Sequence, residues 1–254
     1  MIEVTANEVK FSAYRADPEG TPKGAVVVLQ DVFGVNADIR KIADDFAAAG
    51  YVAVAPSLFD KVKSNIELDA SADAEGRSLT AELGTEWPIE AIQATVDTVK
   101  GAGKVALVGY SWGGYLAYLA ANKVTGLACA IGYHAEEGIL DGMSEKRRIP
   151  TLMHFAEADP AIAEADMIQF RARRPDVSAF SYPGANRGFS YKANPAYDAA
   201  AADQAMERTL FWISQFVVGQ GPVQLKNAGA YALAKTEKKG KKKSEANDMG
   251  PPMD

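Results

Sequence analysis

Cysteine and histidine are the scarcest reactive residues of this chain, with one cysteine and two histidines among 254 residues. A single cysteine excludes an internal disulfide framework. The two histidines, His134 and His154, stand twenty residues apart with no ligand-spaced cluster around them, so we expect no metal site. The glycine patterns that bind nucleotide phosphates, G-x-x-x-x-G-K-[ST] and G-x-G-x-x-G, do not occur, and we therefore expect no cofactor.

Long apolar runs and an excess of basic charge are missing as well. No stretch reaches the roughly 18 uninterrupted apolar residues of a membrane span, and the start MIEVTANEV lacks the pattern of a secretion signal. The 33 acidic residues outnumber the 27 basic ones, which disfavours nucleic acid because phosphate binding needs a basic face. We expect a cytoplasmic monomer that acts on a small molecule, with no nucleic-acid or membrane partner.

The order of apolar segments predicts an α/β fold. From residue 24 onward, short β-branched runs alternate with longer stretches at helical spacing, which is typical of a mostly parallel sheet with helices on both faces. An antiparallel hairpin within residues 1–16 is expected at the sheet edge. Strands are predicted over residues 25–29, 51–56, 104–108, 127–132, 150–155 and 177–182. Helices are predicted over residues 37–50, from residue 85, from residue 112, and over 162–173 and 195–218.

Two regions do not follow this alternation. The stretch 57–84 is polar and weakly periodic, and we assign no element to it. The composition changes after residue 218, and six lysines crowd into residues 235–243. We predict a single α/β domain over residues 1–218 and a mobile, lysine-rich extension over residues 219–254.

The segment with the most chemical information is a G-x-S-x-G string over residues 109–113, between a predicted strand and a predicted helix. In this pattern the serine, here Ser111, sits on a strained strand-to-helix corner, and the flanking glycines avoid collisions with neighbouring backbone. The pattern predicts a nucleophile. The alternative interpretation is a tight turn whose serine caps the helix.

A serine nucleophile needs a base that takes its proton and an acid that supports the base. With this type of corner the usual chain order is nucleophile, acid, histidine. Asp159 fits the acid, because it follows the strand over 150–155 and is expected to open the next helix, although it could instead be an N-cap before Pro160. No histidine follows it, since His134 and His154 both precede Asp159.

Four segments in the same order resemble the dienelactone hydrolase family, small α/β-hydrolases that open ester or lactone rings. The segments are VVVLQDVFGVNADIRKIADDFAAAGYVAVAPSLFD, VALVGYSWGGYLAYLAA, HFAEADPAI and YPGANRGFS, and the similarity extends from about residue 10 to residue 217. The resemblance implies the α/β-hydrolase fold and a hydrolase of carboxylic esters or lactones.

The resemblance also implies roles for individual residues. Ser111 would be the nucleophile, where characterised members carry cysteine and related members carry serine. Asp159 would be the acid of the triad. The backbone amides of Val32 and Trp112 would form the oxyanion hole, and Asp31 would take the place of a family glutamate.

Arg187 stands where the family has its histidine, in a segment that resembles YPGAxHGF. A guanidinium stays protonated and has no acceptor lone pair, so it cannot deprotonate Ser111. Three alternatives to the missing histidine are open. His134 follows a strand at the edge where α/β sites collect and would lie near Ser111. Asp31 would be a base if burial raises its pKa, or Arg187 would pair with Asp159 and bind an anion through its remaining donors. The simpler interpretations are that His134 is a loop histidine bonded to nearby backbone and that Asp31 only accepts local hydrogen bonds.

An anion site would suit the resemblance, because typical family substrates bear a carboxylate held by two arginines. Arg77 lies in the region that would supply one arginine, and the other would fall at Tyr191, its charge having moved to Arg187. His154 is expected in the core. We therefore expect hydrolysis of a small, carboxylate-bearing ester or lactone through an acyl-Ser111 intermediate, or else a non-catalytic protein that binds a small anion.

Overall fold

One mixed sheet forms the centre of the computed structural model, which describes residues 1–135, 138–141 and 145–219. Its strands are β1 (Ile2–Ala6), β2 (Val9–Ala16), β3 (Ala25–Leu29), β4 (Val52–Pro56), β5 (Val105–Tyr110), β6 (Leu127–Tyr133), β7 (Thr151–Ala156) and β8 (Val177–Tyr182). They lie side by side in the order β1-β2-β4-β3-β5-β6-β7-β8. β1 and β2 form an antiparallel hairpin that joins β4 antiparallel, whereas the strands from β3 to β8 run parallel.

Helices cover both faces of this sheet. They are α1 (Ala37–Ala48), α2 (Asp73–Leu83), α3 (Glu86–Val99), α4 (Trp112–Lys123), α5 (Gly138–Asp141), α6 (Glu164–Arg173) and α7 (Ala199–Ile213). Alternate residues of β3 serve two cores, because Val27 and Leu29 pack on the side of α2, α3 and α4, whereas Val26 and Val28 pack on the side of α1 and α7. Both faces of the strand are buried, which is why its sequence is continuously apolar.

The predicted fold class is confirmed, since the sheet is mostly parallel and helices lie on both faces. All six predicted parallel strands occur, each displaced by no more than two residues at an end. The hairpin at the amino terminus is also present. None of the described helices is long and apolar enough to cross a membrane.

Three details differ from the sequence predictions. The stretch left unassigned contains α2, whose weak periodicity arises because it buries only Gly76, Leu79 and Leu83. The helix predicted over 162–173 begins at Glu164, so the expectation that Asp159 opens or caps it is wrong. The last helix begins at residue 199 rather than 195. Apart from Gly219, the predicted lysine-rich extension lies outside the described residues.

Candidate active site

Ser111 occupies the sharp corner between β5 and α4. Its backbone angles, φ 50° and ψ −113°, lie in a region that costs a residue other than glycine about 1–3 kcal/mol. The Ser111 amide donates to the Tyr133 carbonyl at 3.0 Å, and the Ser111 carbonyl accepts from the Tyr115 amide at 3.1 Å. Its side chain makes no capping hydrogen bond, so the interpretation of this serine as a helix cap is wrong. The strained corner presents a hydroxyl that the helix does not use.

Both glycines of the G-x-S-x-G string are required by backbone packing. A Cβ atom on Gly109 would lie 1.9 Å from the carbonyl oxygen of Gly113. A Cβ atom on Gly113 would lie 2.4 Å from the carbonyl oxygen of Gln30. The absence of side chains at these positions lets the corner close on itself and lets the start of α4 rest against the end of β3.

Strand register brings two titratable side chains to the two sides of Ser111. The β3–β5 pairing ends two residues before Asp31 and Ser111, and the β5–β6 pairing ends one residue before Ser111 and His134. The carboxyl ends of parallel strands meet at one edge of a sheet, where α/β sites form. This edge therefore carries a carboxylate, a hydroxyl and an imidazole on three neighbouring strands.

Asp31 is a buried carboxylate with a raised pKa. Its side chain accepts a hydrogen bond from the Phe33 amide at 2.8 Å. Burial raises the pKa of Asp31 to about 6, although that hydrogen bond and the nearby Tyr191 act in the opposite direction. The Tyr191 hydroxyl lies close to the carboxylate without the geometry of a hydrogen bond. Near pH 7 Asp31 is ionised and can accept a proton.

His134 is a buried imidazole on the other side of Ser111. Its Nε2 atom lies 3.2 Å from the Ser190 hydroxyl, and its Nδ1 atom is buried with no partner within the described residues. Burial, followed by the charge of Arg187, lowers the pKa of His134 to about 3. The ring is therefore neutral around pH 7 and is a weak base.

Asp159 and Arg187 form a buried ion pair. The Arg187 Nε atom lies 3.0 and 3.1 Å from the two carboxylate oxygens of Asp159, and their side chains are 19% and 2% exposed. Asp159 also accepts a hydrogen bond from the Ala161 amide at 2.9 Å. Of the three alternatives that the sequence left open, the pairing of Arg187 with Asp159 is thus present as a contact.

The ion pair does not use all the donors of Arg187. Its Nη2 atom is buried and has no partner within the part of the chain that the structure describes. The His134 Nδ1 atom and the Tyr191 hydroxyl are in the same condition, and all three atoms belong to residues around this edge. Buried polar atoms nearly always pair in native proteins, so the edge has the chemistry to bind a polar group of a ligand.

The amides of Val32 and Trp112 are available as donors. Among the described residues, neither amide donates a hydrogen bond. Trp112 is the first residue of α4, where an N–H group has no acceptor inside the helix and the helix dipole favours negative charge. Its ring stacks on Phe59 with centroids 5.8 Å apart, which fixes the start of the helix. Two free amides beside a nucleophile have the chemistry of an oxyanion hole.

The other residues predicted from the sequence lie in different parts of the fold. Tyr191 packs its ring 5.7 Å from that of His134 and belongs to the edge. Arg77 lies on α2, half exposed, and its Nε atom contacts Asp73 at 2.7 Å. His154 lies in the core as expected, and burial lowers its pKa to about 3.

Sequence reasoning missed Ser190, the hydrogen-bond partner of His134. The signal for it was its position at the end of the segment YPGANRGFS, three residues after Arg187. Within the described ranges, no group of three or more His, Cys, Asp or Glu side chains could hold a metal ion.

Comparisons with known proteins identify the family of this chain. The model of the dienelactone hydrolase family matches residues 11–217. A carboxymethylenebutenolidase from Pseudomonas putida is 30% identical over 217 residues, which cover 80% of this chain and 91% of the relative. Carboxymethylenebutenolidase 1 from Cupriavidus pinatubonensis is 28% identical, over 82% of this chain and 94% of the relative.

Solved structures show the same fold. The dienelactone hydrolase from Anabaena variabilis superposes with a TM-score of 0.65 at 16% identity, over 85% of this chain and 96% of that protein. A dienelactone hydrolase-like promiscuous phosphotriesterase from metagenomic libraries superposes with a TM-score of 0.69 at 18% identity, over 85% and 97% of the two chains. The predicted α/β-hydrolase fold is confirmed.

Proposed function

This chain belongs to the dienelactone hydrolase family, and we propose that it hydrolyses a small carboxylic ester or lactone with Ser111 as its nucleophile. The observation that carries the proposal is the strained corner at Ser111. Strain of about 1–3 kcal/mol persists in a native protein where the surrounding structure enforces it, and such positions cluster at active sites. Within the described residues the Ser111 hydroxyl makes no hydrogen bond, to Asp31 and His134 included, so its contact with a base has to form when the substrate binds.

Asp31 is the best candidate for the base. Its pKa of about 6 exceeds that of His134, about 3, so the carboxylate is the stronger base of the two. A base with a pKa close to the working pH combines the correct ionisation with a useful driving force for proton transfer. Arg187 cannot take a proton, and Asp159 is held in an ion pair with it.

The reaction then takes two steps. The Ser111 oxygen attacks the carbonyl carbon while its proton passes to Asp31, and the Val32 and Trp112 amides donate to the oxyanion. When this intermediate collapses, the carbon–oxygen bond of the leaving group breaks and the alkoxide takes the proton from Asp31. Water next attacks the acyl-Ser111 ester with Asp31 again as base, and the products are a carboxylic acid and free serine.

Arg187 supplies positive charge rather than proton transfer in this proposal. Its Nε atom neutralises Asp159, and its buried Nη2 atom remains available to an anionic group. A carboxylate on the substrate is a group that a guanidinium binds well. The proposed substrate is therefore an ester or lactone that bears a carboxylate.

Covalent labelling tests the nucleophile. We expect a fluorophosphonate probe to add one phosphonyl group to the native protein, with the modified peptide containing Ser111, and Ser111→Ala to remain unlabelled. Ser190→Ala is the matched control, because it removes a nearby hydroxyl at the same edge and should leave the labelling in place. Unlabelled native protein at millimolar probe, or labelled Ser111→Ala, would contradict the proposal.

The same geometry favours a second candidate function. A cation with an unpaired buried donor could bind a small anion in a protein without catalysis, and the lost histidine agrees with that function. Binding of benzoate by native protein that no fluorophosphonate labels would favour this candidate. Benzoate binding that is lost in Arg187→Gln would assign the binding to the guanidinium.

A further inference from the structure

A cavity between α1 and α7 has features of a second ligand site. Its volume is about 340 Å³, more than twice the roughly 150 Å³ of an engineered apolar cavity that binds benzene. Its walls come from the two helices, from the ends of β5 and β6, and from residues 190–192. Ser111, Asp31, Asp159 and Arg187 are not among its lining residues, so the cavity is distinct from the proposed catalytic centre, although Tyr191 borders both.

The interior of this cavity is mainly aromatic and aliphatic. Its lining includes Phe46, Tyr110, Tyr133, Tyr197, Met206 and Leu210. The rings of Tyr110 and Tyr133 stack on each other with centroids 4.7 Å apart, and both residues line the cavity. Aromatic rings prefer offset-stacked or edge-to-face neighbours, so a planar ring can pack against this pair.

The Tyr110 hydroxyl gives the interior one polar contact point. Tyr110 is 1% exposed, and its hydroxyl makes no hydrogen bond within the described residues. Burial raises the pKa of Tyr110 well above its ordinary value, so the hydroxyl stays protonated and can both donate and accept. Apolar pockets with a few placed polar groups are the common form of small-molecule sites.

Charge at the rim limits what the cavity accepts. Lys41 forms an ion pair with Asp45, whereas Asp38, Asp203 and Lys192 have no ion-pair partner among the described residues. The rim therefore carries three carboxylates against two ammonium groups. This balance disfavours an anion and tolerates a neutral or cationic group.

From these contacts we propose that the cavity between α1 and α7 binds a single-ring aromatic molecule, neutral or cationic, with its ring packed against the Tyr110–Tyr133 pair. Ser190 and Tyr191 line the same cavity, and each also contacts His134. A molecule bound in the cavity would therefore contact two residues that also contact His134 of the candidate active site. Binding at this site does not depend on catalysis by Ser111, so its test is independent of the test of the proposed function.

Calorimetric titration and saturation-transfer NMR with three probes test this site. We expect phenol and tyramine to bind, and benzoate to displace bound phenol with an apparent Kd at least tenfold weaker than that of tyramine; displacement of phenol separates the cavity from any binding of benzoate at Arg187. Leu210→Trp fills the cavity and should raise the Kd of phenol at least tenfold, whereas the matched Phe211→Trp variant, on the exposed side of the same helix, should leave it unchanged. Ser111→Ala should bind phenol like the native protein.

Three outcomes would overturn the proposal. The first is that neither phenol nor tyramine binds at about 10 mM, a concentration at which even a weak fragment is detected. The others are equal phenol binding by native and Leu210→Trp protein, and loss of phenol binding in Ser111→Ala. The folded state of each variant is checked by thermal unfolding. If Leu210→Trp does not fold, Ala202→Phe fills the same cavity from the previous turns of α7 and replaces it. The same tenfold loss of phenol affinity is then expected.

Discussion

Arg187→His introduces a histidine at the position where the resemblance to the dienelactone hydrolase family implies one. The Arg187 Nε atom lies 3.0 and 3.1 Å from the oxygens of Asp159, so this carboxylate is already placed to accept a hydrogen bond from residue 187. An imidazole there can donate from Nδ1 to Asp159. Its Nε2 atom then falls in the space that the guanidinium group fills, with a lone pair for the proton of Ser111.

The expected gain follows from the usual contribution of a general base, about 10² to 10⁴ in rate. We expect the lower end, about 10² in kcat/KM or about 2.7 kcal/mol of transition-state stabilisation, because in the proposed mechanism Asp31 already serves as a base in the native protein. The assay is hydrolysis of 4-nitrophenyl acetate, a substrate without a carboxylate, so that lost anion binding does not hide the gain.

Arg187→Gln is the matched control, since it removes the charge without adding a base. Its activity on the same ester should not rise. It leaves the buried Asp159 carboxylate without its cation, and breaking a buried pair in this way costs about 3–5 kcal/mol of unfolding free energy. A fall in activity for a folded Arg187→His protein would refute the reasoning, because it would show that the arginine itself works in catalysis.

Three further predictions concern the same edge. Burial raises the pKa of Asp31 from 3.8 to about 6, so the contribution of this carboxyl to the free energy of unfolding is complete below pH 4 and is lost as the pH rises through 6. The free energy of unfolding of Asp31→Asn, measured in urea, should therefore gain up to about 3 kcal/mol relative to that of the native protein between pH 4 and pH 8. Ser111→Gly should be about 1 kcal/mol more stable than Ser111→Ala, because glycine relieves the strained angles, and equal stabilities would contradict the strain. Gly113→Ala should lose about 1–3 kcal/mol and most activity through collision with the Gln30 carbonyl, whereas Gly101→Ala, with open space around its Cβ, should be neutral.

The corner at Ser111 was predictable because local sequence determines it. The two glycines of its string are required by contacts within the corner and with the neighbouring strand. Strand positions were predictable for the same kind of reason, since apolar runs such as that of β3 record burial on both faces. The end of each parallel strand then indicated which side chains share the edge.

From the sequence, the chemical state of the edge could be stated only as open alternatives, among them a raised pKa of Asp31 and the pairing of Arg187 with Asp159. The pKa values of Asp31 and His134 depend on burial by segments distant along the chain, and the ion pair of Arg187 with Asp159 joins residues 28 positions apart. The helix start near Asp159 was misplaced because its carboxylate accepts from the Ala161 amide in a local turn. Ser190 acquires its role only through its contact with His134, 56 positions away.

The most direct test of the central claim, that the Asp31 carboxylate activates Ser111, is the rate of fluorophosphonate labelling as a function of pH. We expect a rate that is constant above pH 7 and falls tenfold per pH unit below a midpoint near 6, with that midpoint absent in Asp31→Asn. A rate profile without a midpoint near 6, or the same profile and rate in Asp31→Asn, would contradict it.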